Sequence, residues 1–383
     1  MARIPSSRVQ KNRHETRQGR VTEAAVAAES LLGAYPELSL PIQPPYPPME
    51  AKLVEEIPRG AGWQYEPKWD GFRCLGFRDG KEVALQSKAG QPLGRYFPEV
   101  VRAVASLPQK QFVLDGEIVI LRKGHIEFDE LLMRIHPAAS RIKKLSEETP
   151  ATLFVFDLLV DDKGRDLTSM PLDVRRPRLE DFFEKVPEDS LIRLSPKAED
   201  VRAAERWMQR LGSIGLDGVI AKRLDVSYAS GERSAMQKIK LIRTADCVVG
   251  GFRWASKGGK VGSLLLGLYD DNGLLNHIGF SSSFSAEERN ELRGILKPYM
   301  HGAGFSGAAP GGPSRWSTER TGEWEPLDPK LVCEVRYDHF SGGRFRHGTK
   351  FLRWRPEKRP QDCTYEQVTR QKKGKGLEGL LAA

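Results

Sequence analysis

Beyond Thr244 the chain changes texture, and that change restricts the folds open to it more than any other feature. Short apolar runs (DCVVGGFRW, GSLLLGLYDDNGLLNHIGF, LVCEVRYDHF, TKFLRWRP) are separated by glycine-rich turns and interrupted by one helical stretch, SAEERNELRGIL. About five strands with one helix fit a small barrel of the OB type. From residue 62 to 242 strand signals also dominate, but helical periodicity enters at FPEVVRAVASL and EDVRAAERWMQRLG. The expected fold class is therefore α+β, with a mixed domain over 46–243 followed by an OB-fold β-barrel over 244–362. Residues 1–45, polar, Ala-rich and ending in a proline-rich lead-in, are expected to be a disordered basic tail, and 363–383 a flexible basic one. The Gly/Pro/Ser run from His301 to Ser317 is expected to be a surface loop of the barrel.

A length of 383 residues suits two or three domains, and a 39% hydrophobic content is enough to give each a core. No run approaches the roughly 18 apolar residues of a membrane span. LFVFDLLV and FVLDGEIVIL are strand-sized and carry acids, so a soluble protein with no membrane contact is expected. Cys74, Cys247, Cys333 and Cys363 are far apart and form no CxxC pair, which points away from zinc sites and disulfide frameworks and toward the reducing cytoplasm. Glu15, Glu23 and Glu29 argue against an organelle presequence. The seven histidines show no metal-ligand spacing.

Charge is unevenly placed. Residues 1–20 hold six Lys/Arg against Glu15 alone, and residues 344–375 hold eleven against three acids, so the body between them is mildly acidic although the net charge is +9. Basic ends imply a polyanion partner. The second end interleaves aromatics with its cations (RFRHGTKFLRWRPEKR), which a merely solubilising tail does not require.

The stretch EPKWDGFR, Glu66 to Arg73, places an ammonium, a carboxylate and a guanidinium together between two strand-like runs. A lysine amine attacks phosphorus only when neutral, which calls for partial burial and neighbouring cations. Arg73 and the KIK run at Lys238 to Lys240 can supply them, and Gly71 permits a close backbone approach.

Taken in order, KxDGxR at Lys68, SKAG at Ser87, LDGEIV at Leu114, LFVFDLL at Leu153, LDGVIAK at Leu216 and QKIK at Gln237 resemble the covalent nucleotidyltransferase superfamily, and within it the ATP-dependent DNA ligases. With RPEKRPQD at Arg355, the resemblance covers residues 46–362, and the compact plan is most similar to the small stand-alone bacterial ligases of the C type. The resemblance implies that Lys68 attacks the α-phosphorus of ATP and carries AMP to the 5′-phosphate of nicked double-stranded DNA. It implies that Glu117 meets the ribose, Phe156 stacks on adenine, and Glu66, Arg73 and Lys88 contact the nucleotide. Lys238 and Lys240 would hold the α-phosphate and favour a neutral Lys68. Asp217, helped by Glu117, would bind Mg²⁺ (or Mn²⁺). Arg355 and Lys358 would swing in from the barrel to orient the leaving pyrophosphate. A monomer in the bacterial cytoplasm, associated with the nucleoid and serving DNA repair, is the implied setting.

Three positions depart from the family pattern: Lys88 stands where an arginine is usual, Asp217 where a glutamate is usual, and Glu357 where an aspartate is usual. Lysine lacks the bidentate fork of arginine toward phosphate. Each motif alone also has an ordinary explanation, DGE as a turn, Phe156 as core and KIK as a solvated strand edge. An mRNA-capping-type guanylyltransferase and an RNA ligase share KxDGxR, and a non-catalytic OB-containing DNA-binding adaptor would keep the basic ends while losing Lys68 or the KIK lysines. All of these are present.

Overall fold

The computed structural model describes residues 34–214, 216–255, 259–311 and 323–369. The first domain is built on two sheets. The smaller has the order Ala51–Val54, Met236–Lys240, Gly218–Arg223, Trp63–Lys68, parallel at its first pair and antiparallel beyond it. The larger follows the path Glu82–Ser87, Phe72–Asp79, Gln111–Arg122, Ala151–Val160, Ile192–Leu194. Every residue of Ala151–Val160 is buried. A strand covered on both faces reads as a continuous apolar run rather than an alternating one, which is why LFVFDLL is so uniform.

The helices Pro98–Ser106 and Leu172–Phe183 pack on the larger sheet, with proline in the first turn of the former, where its missing N–H costs nothing. Arg175, in the second of these helices, grips Asp157 of the buried strand Ala151–Val160 with two hydrogen bonds of 2.8 and 2.9 Å, both side chains being almost fully buried.

Chain direction positions the site. Trp63–Lys68 belongs to the smaller sheet and Phe72–Asp79 to the larger, so Trp69, Asp70 and Gly71 cross from one sheet to the other. Gly71 makes the crossing possible, since a Cβ there would lie 2.1 Å from the Ile118 carbonyl oxygen. Lys68 is thereby left at the seam.

The proline-rich segment is not a tail along its whole length. Leu40 and Ile42 are buried against Leu75, Phe77 and Val113, and the Tyr35 hydroxyl donates to the Gly90 carbonyl at 2.9 Å. Its prolines restrict the unfolded chain, so an extended strap can be ordered at low entropic cost. Residues 1–33 lie outside the described residues.

In the second domain the sheet runs Leu275–Ser281, Val261–Tyr269, Arg243–Trp254, Val332–Tyr337, Lys350–Trp354, around a core that includes Phe252, Leu264 and Val335. Its two outer strands come together at one point. The Thr349 amide donates to the Phe280 carbonyl at 3.0 Å and the Ser281 hydroxyl to the Thr349 carbonyl at 3.0 Å. The OB fold is therefore a partly open barrel whose seam is one bridge. The helix Ala286–Leu296 starts with a capping box of Ser285 and Glu288.

The barrel also extends past 362. Cys363 and Val368 are buried in its core, and the Tyr269 amide donates to the Cys363 carbonyl at 2.8 Å. Of the two flexible segments expected here, residues 312–317 and 370–383 lie outside the described residues, whereas Phe305 of the glycine-rich loop is packed inside. All four cysteines are free and buried. Among the described residues no helix is long and apolar enough to cross a membrane.

Candidate active site

A cavity of about 190 Å³ opens between the two sheets of the first domain. Glu66, Lys68, Arg73, Lys88, Glu117, Phe156 and Lys238, widely spread in the chain, all line it. Phe156 comes from the larger sheet, while Ile220 and Met236 come from the smaller and line the same cavity, giving a slot with an aromatic wall and an aliphatic one. Such a slot suits a flat heteroaromatic ring.

Beneath Phe156 the polar groups are paired. The Lys222 ammonium lies 4.4 Å from the centre of the ring, donates to the Phe156 carbonyl at 3.1 Å and meets Glu66 at 2.9 Å. Glu66 also accepts from the Gln64 amide at 2.7 Å. The Arg73 guanidinium also lies near the ring, 4.6 Å from its centre, and donates to both oxygens of Asp115 at 2.6 Å. Its guanidinium is thus oriented before any ligand arrives. Glu117 stands opposite Arg73 in the ladder, and burial pushes its carboxyl up to about 7 against the pull of Arg73 and Lys68.

Lys68 is not neutral here, contrary to what the sequence suggests. Its amine donates to Asp217 at 2.8 Å, and the two side chains are only 18% and 10% exposed. Burial alone would lower the lysine, but Asp217, with Asp70 and Glu117 nearby, outweighs it and raises the amine above its ordinary value. Burial likewise opposes ionisation of Asp217, yet His339 and Lys68 hold its carboxyl well below the usual range. Lys238 behaves as expected of a cation near another cation, its amine being lowered by burial and by Lys68.

The second domain reaches this site through the hairpin strands Phe340–Ser341 and Arg344–Phe345 and their flanks. Arg346 donates to both oxygens of Asp70 and stacks 3.8 Å above the Phe128 ring, and His339 approaches Asp70 and Asp217. Other expected residues are elsewhere. Lys240 points to Asp338 of the second domain at 3.1 Å, away from the cavity. Arg355 pairs with Asp246 at 2.8 Å and with Glu357, and Lys358 lies 3.9 Å from Asp246, so both remain on the barrel. Lys88 reaches the cavity rim but is engaged with Glu50 at 3.1 Å.

The family described as the ATP-dependent DNA ligase domain matches residues 48–240, and the ATP-dependent DNA ligase C-terminal region matches residues 257–358. The chain belongs to the ATP-dependent DNA ligases. DNA ligase C1 of Mycolicibacterium smegmatis is 45% identical over 86% of this chain and 96% of its own length. DNA ligase C of Mycobacterium tuberculosis is 42% identical over 87% of this chain and 96% of its own length. A solved structure from a study of Lig E DNA ligases shares the fold, with a TM-score of 0.51 and 18% identity over 81% of this chain and 99% of that one. The ligase is an enzyme that uses ATP, with an adenylation domain followed by an OB-fold domain.

Four residues of the ligase site escaped the reading of its sequence. Lys222 and Asp70 stand inside the recognised runs LDGVIAK and PKWDG, where they could have been found. His339 lies near the end of the run LVCEVRYDHF and Arg346 in the charged run that follows, and the nearness of either to Lys68 has no signal in the sequence.

Proposed function

We propose that Lys68 is the residue this ligase adenylates and that nicked double-stranded DNA is its acceptor. The observation that carries the reading is the convergence of Lys68, Glu66, Arg73, Glu117, Phe156 and Lys238 on one cavity. Lys68 first releases its proton to solvent, which requires release of its amine from Asp217. A P–N bond then forms between Nζ and the α-phosphorus, the α–β P–O bond breaks, and pyrophosphate leaves. AMP next passes to the 5′-phosphate of the nick, and the 3′-hydroxyl displaces it to close the strand.

Each step is a transfer at phosphorus in which positioning and charge neutralisation supply most of the rate. In this reading Phe156 stacks on adenine opposite Ile220 and Met236, Glu66 and Lys222 set its edge, and Glu117 accepts from the ribose with Arg73 beside it. Lys238 and Lys88 neutralise phosphate. Lys240 belongs to the same group only after release from Asp338. Arg355 and Lys358 act when the barrel turns them toward pyrophosphate, an arrangement other than the one described here.

The donor set fits a divalent cation. The ligand atoms of Asp70, Asp217 and His339 lie within 4.8 Å of one another, and hard carboxylate oxygens suit Mg²⁺ or Mn²⁺. Asp217 would hold the ion with help from Glu117, and its charge would offset that of the phosphates. The basic ends support DNA as the partner. A monomer acting in the bacterial cytoplasm at the nucleoid, in repair, is the setting carried over from the family resemblance.

Labelled ATP and Mg²⁺ followed by nicked duplex test the reading. AMP is expected on the protein and then in sealed DNA. Lys68→Ala is expected to lose adenylation and ordinary sealing, yet to close a nick already carrying AMP. Label on the Lys68→Ala protein would place the nucleophile elsewhere, and label from GTP in preference to ATP would favour the capping-type reading.

A further inference from the structure

We propose that Tyr228 is a positioning residue of the nucleotide cavity, its hydroxyl locking Arg73 and the backbone of Met49 into one hydrogen-bonded circuit. The proposal rests on the reading that Arg73 meets the nucleotide.

Four residues far apart in the chain close this circuit. The Tyr228 hydroxyl donates to Asp115 Oδ2 at 2.6 Å and accepts from the Met49 amide at 2.9 Å. Arg73 donates through Nε to Asp115 Oδ1 and through Nη2 to Asp115 Oδ2, both at 2.6 Å. Nη2 also reaches the Met49 carbonyl at 3.3 Å, which completes the ring. Arg73 and Met49 line the cavity, whereas Asp115 and Tyr228 stand behind them, at 0% and 5% exposure.

A core tyrosine needs one partner for its hydroxyl. This one has two, and each is also a partner of Arg73. Asp115 alone would leave the guanidinium loosely aimed, because the χ2 torsion of an aspartate is broad and soft. A further hydrogen bond, on the oxygen that already accepts from Nη2, fixes the plane of the carboxylate and with it the plane of Arg73. The circuit occupies Nε and Nη2 and leaves Nη1 outside it.

The Tyr228 ring is held independently of its hydroxyl. It stacks with Tyr46 of the proline-rich strap, the centroids 6.4 Å apart, and the Arg175 guanidinium lies 5.6 Å from its centre. The same loop is fastened to the strap by the Ser230 hydroxyl, which donates to the Pro47 carbonyl at 2.7 Å, and by the Gly231 amide, which donates to the Pro48 carbonyl at 3.3 Å. Removing the hydroxyl alone therefore keeps the packing, but it strands the buried Met49 N–H and frees Asp115 to turn. A binding group held off its productive direction loses part of its interaction with the ligand.

Single-turnover self-adenylation of the full-length enzyme at varied ATP concentration separates nucleotide binding from chemistry. Tyr228→Phe is expected to raise the half-saturating ATP concentration at least about fivefold and to change the rate at saturating ATP by less than about twofold. Arg73→Ala is expected to raise half-saturation as well, and Tyr228→Phe added to Arg73→Ala to raise it no further, since no guanidinium remains to be aimed. A tyrosine that merely supports the core would lower the urea midpoint and act equally in both backgrounds. Should loss of the hydroxyl prevent folding, Asp115→Asn, which weakens the circuit at its centre, carries the same expectation and the same refutation. Unchanged half-saturation in the folded variant, or an equal shift with and without Arg73, would overturn the proposal. An Arg73→Ala enzyme with the parental half-saturation would overturn the reading on which the proposal rests, and the proposal with it.

Discussion

Arg346 of the barrel places one guanidinium nitrogen 2.8 and 3.0 Å from the two oxygens of Asp70, a residue 276 positions earlier in the chain. The contact joins the two domains two residues from Lys68. Both side chains are largely buried, at 14% and 10% exposure, so removal of the arginine strands a carboxylate in poor solvent. Arg346→Ala is expected to loosen the docked hairpin and to reduce sealing of an ordinary nick more than it reduces adenylation. Solution scattering together with separate assays of the two steps checks this, and an unchanged scattering profile with unchanged sealing would refute it.

Arg355 and Lys358 give a sharper separation of steps. They face Asp246 on the barrel rather than the nucleotide cavity. If their task is the pyrophosphate, which exists only in the first step, Arg355→Ala and Lys358→Ala should each lower adenylation at least about tenfold and largely spare closure of a pre-adenylated nick. Equal loss in both assays would mean that these cations hold DNA instead.

Asp157 and Arg175 carry a stability prediction. Burial opposes ionisation of Asp157, but the two hydrogen bonds from Arg175 prevail and its carboxyl is lowered in the folded protein. A lowered folded-state value means that the stabilisation is complete above the ordinary carboxylate range and is lost as pH falls through that range and below it. Asp157→Asn should destabilise the adenylation domain by about 3 to 5 kcal/mol at neutral pH, since it leaves Arg175 buried and unpaired. Its deficit relative to the parent should shrink as the solution is acidified. Urea unfolding at several pH values measures both, and a deficit that grows toward acid would contradict the assignment.

DNA affinity should depend steeply on salt and little on sequence. Cations such as Lys88 and Arg344 lie on or near the face that carries the site, and Arg346 joins them only on release from Asp70; each phosphate so neutralised adds about 0.9 to the slope of log affinity against log salt. Deleting residues 1–33 should lower that slope if the basic arm touches DNA, and leave adenylation intact because the cavity is formed wholly beyond it. Nick binding indifferent to salt between about 50 and 200 mM would exclude a phosphate-dominated grip.

Some of this protein was readable from local pattern alone. The mixed first domain, the barrel after Thr244, the helix at SAEERNELRGIL and the close backbone approach at Gly71 all follow from features that act over a few residues: strand runs, helical periodicity, glycine turns, a glycine that must approach a carbonyl. The strap at Leu40 and Ile42 and the closing segment at Cys363 and Val368 were not readable, because their few apolar residues bury themselves only against surfaces formed by distant strands. Nor was the charge of Lys68. Neighbouring cations in the sequence suggested a neutral amine, but ionisation depends on distance and burial, and only the fold sets Asp217 2.8 Å from that nitrogen and brings His339 from the other domain to the same pair of carboxylates.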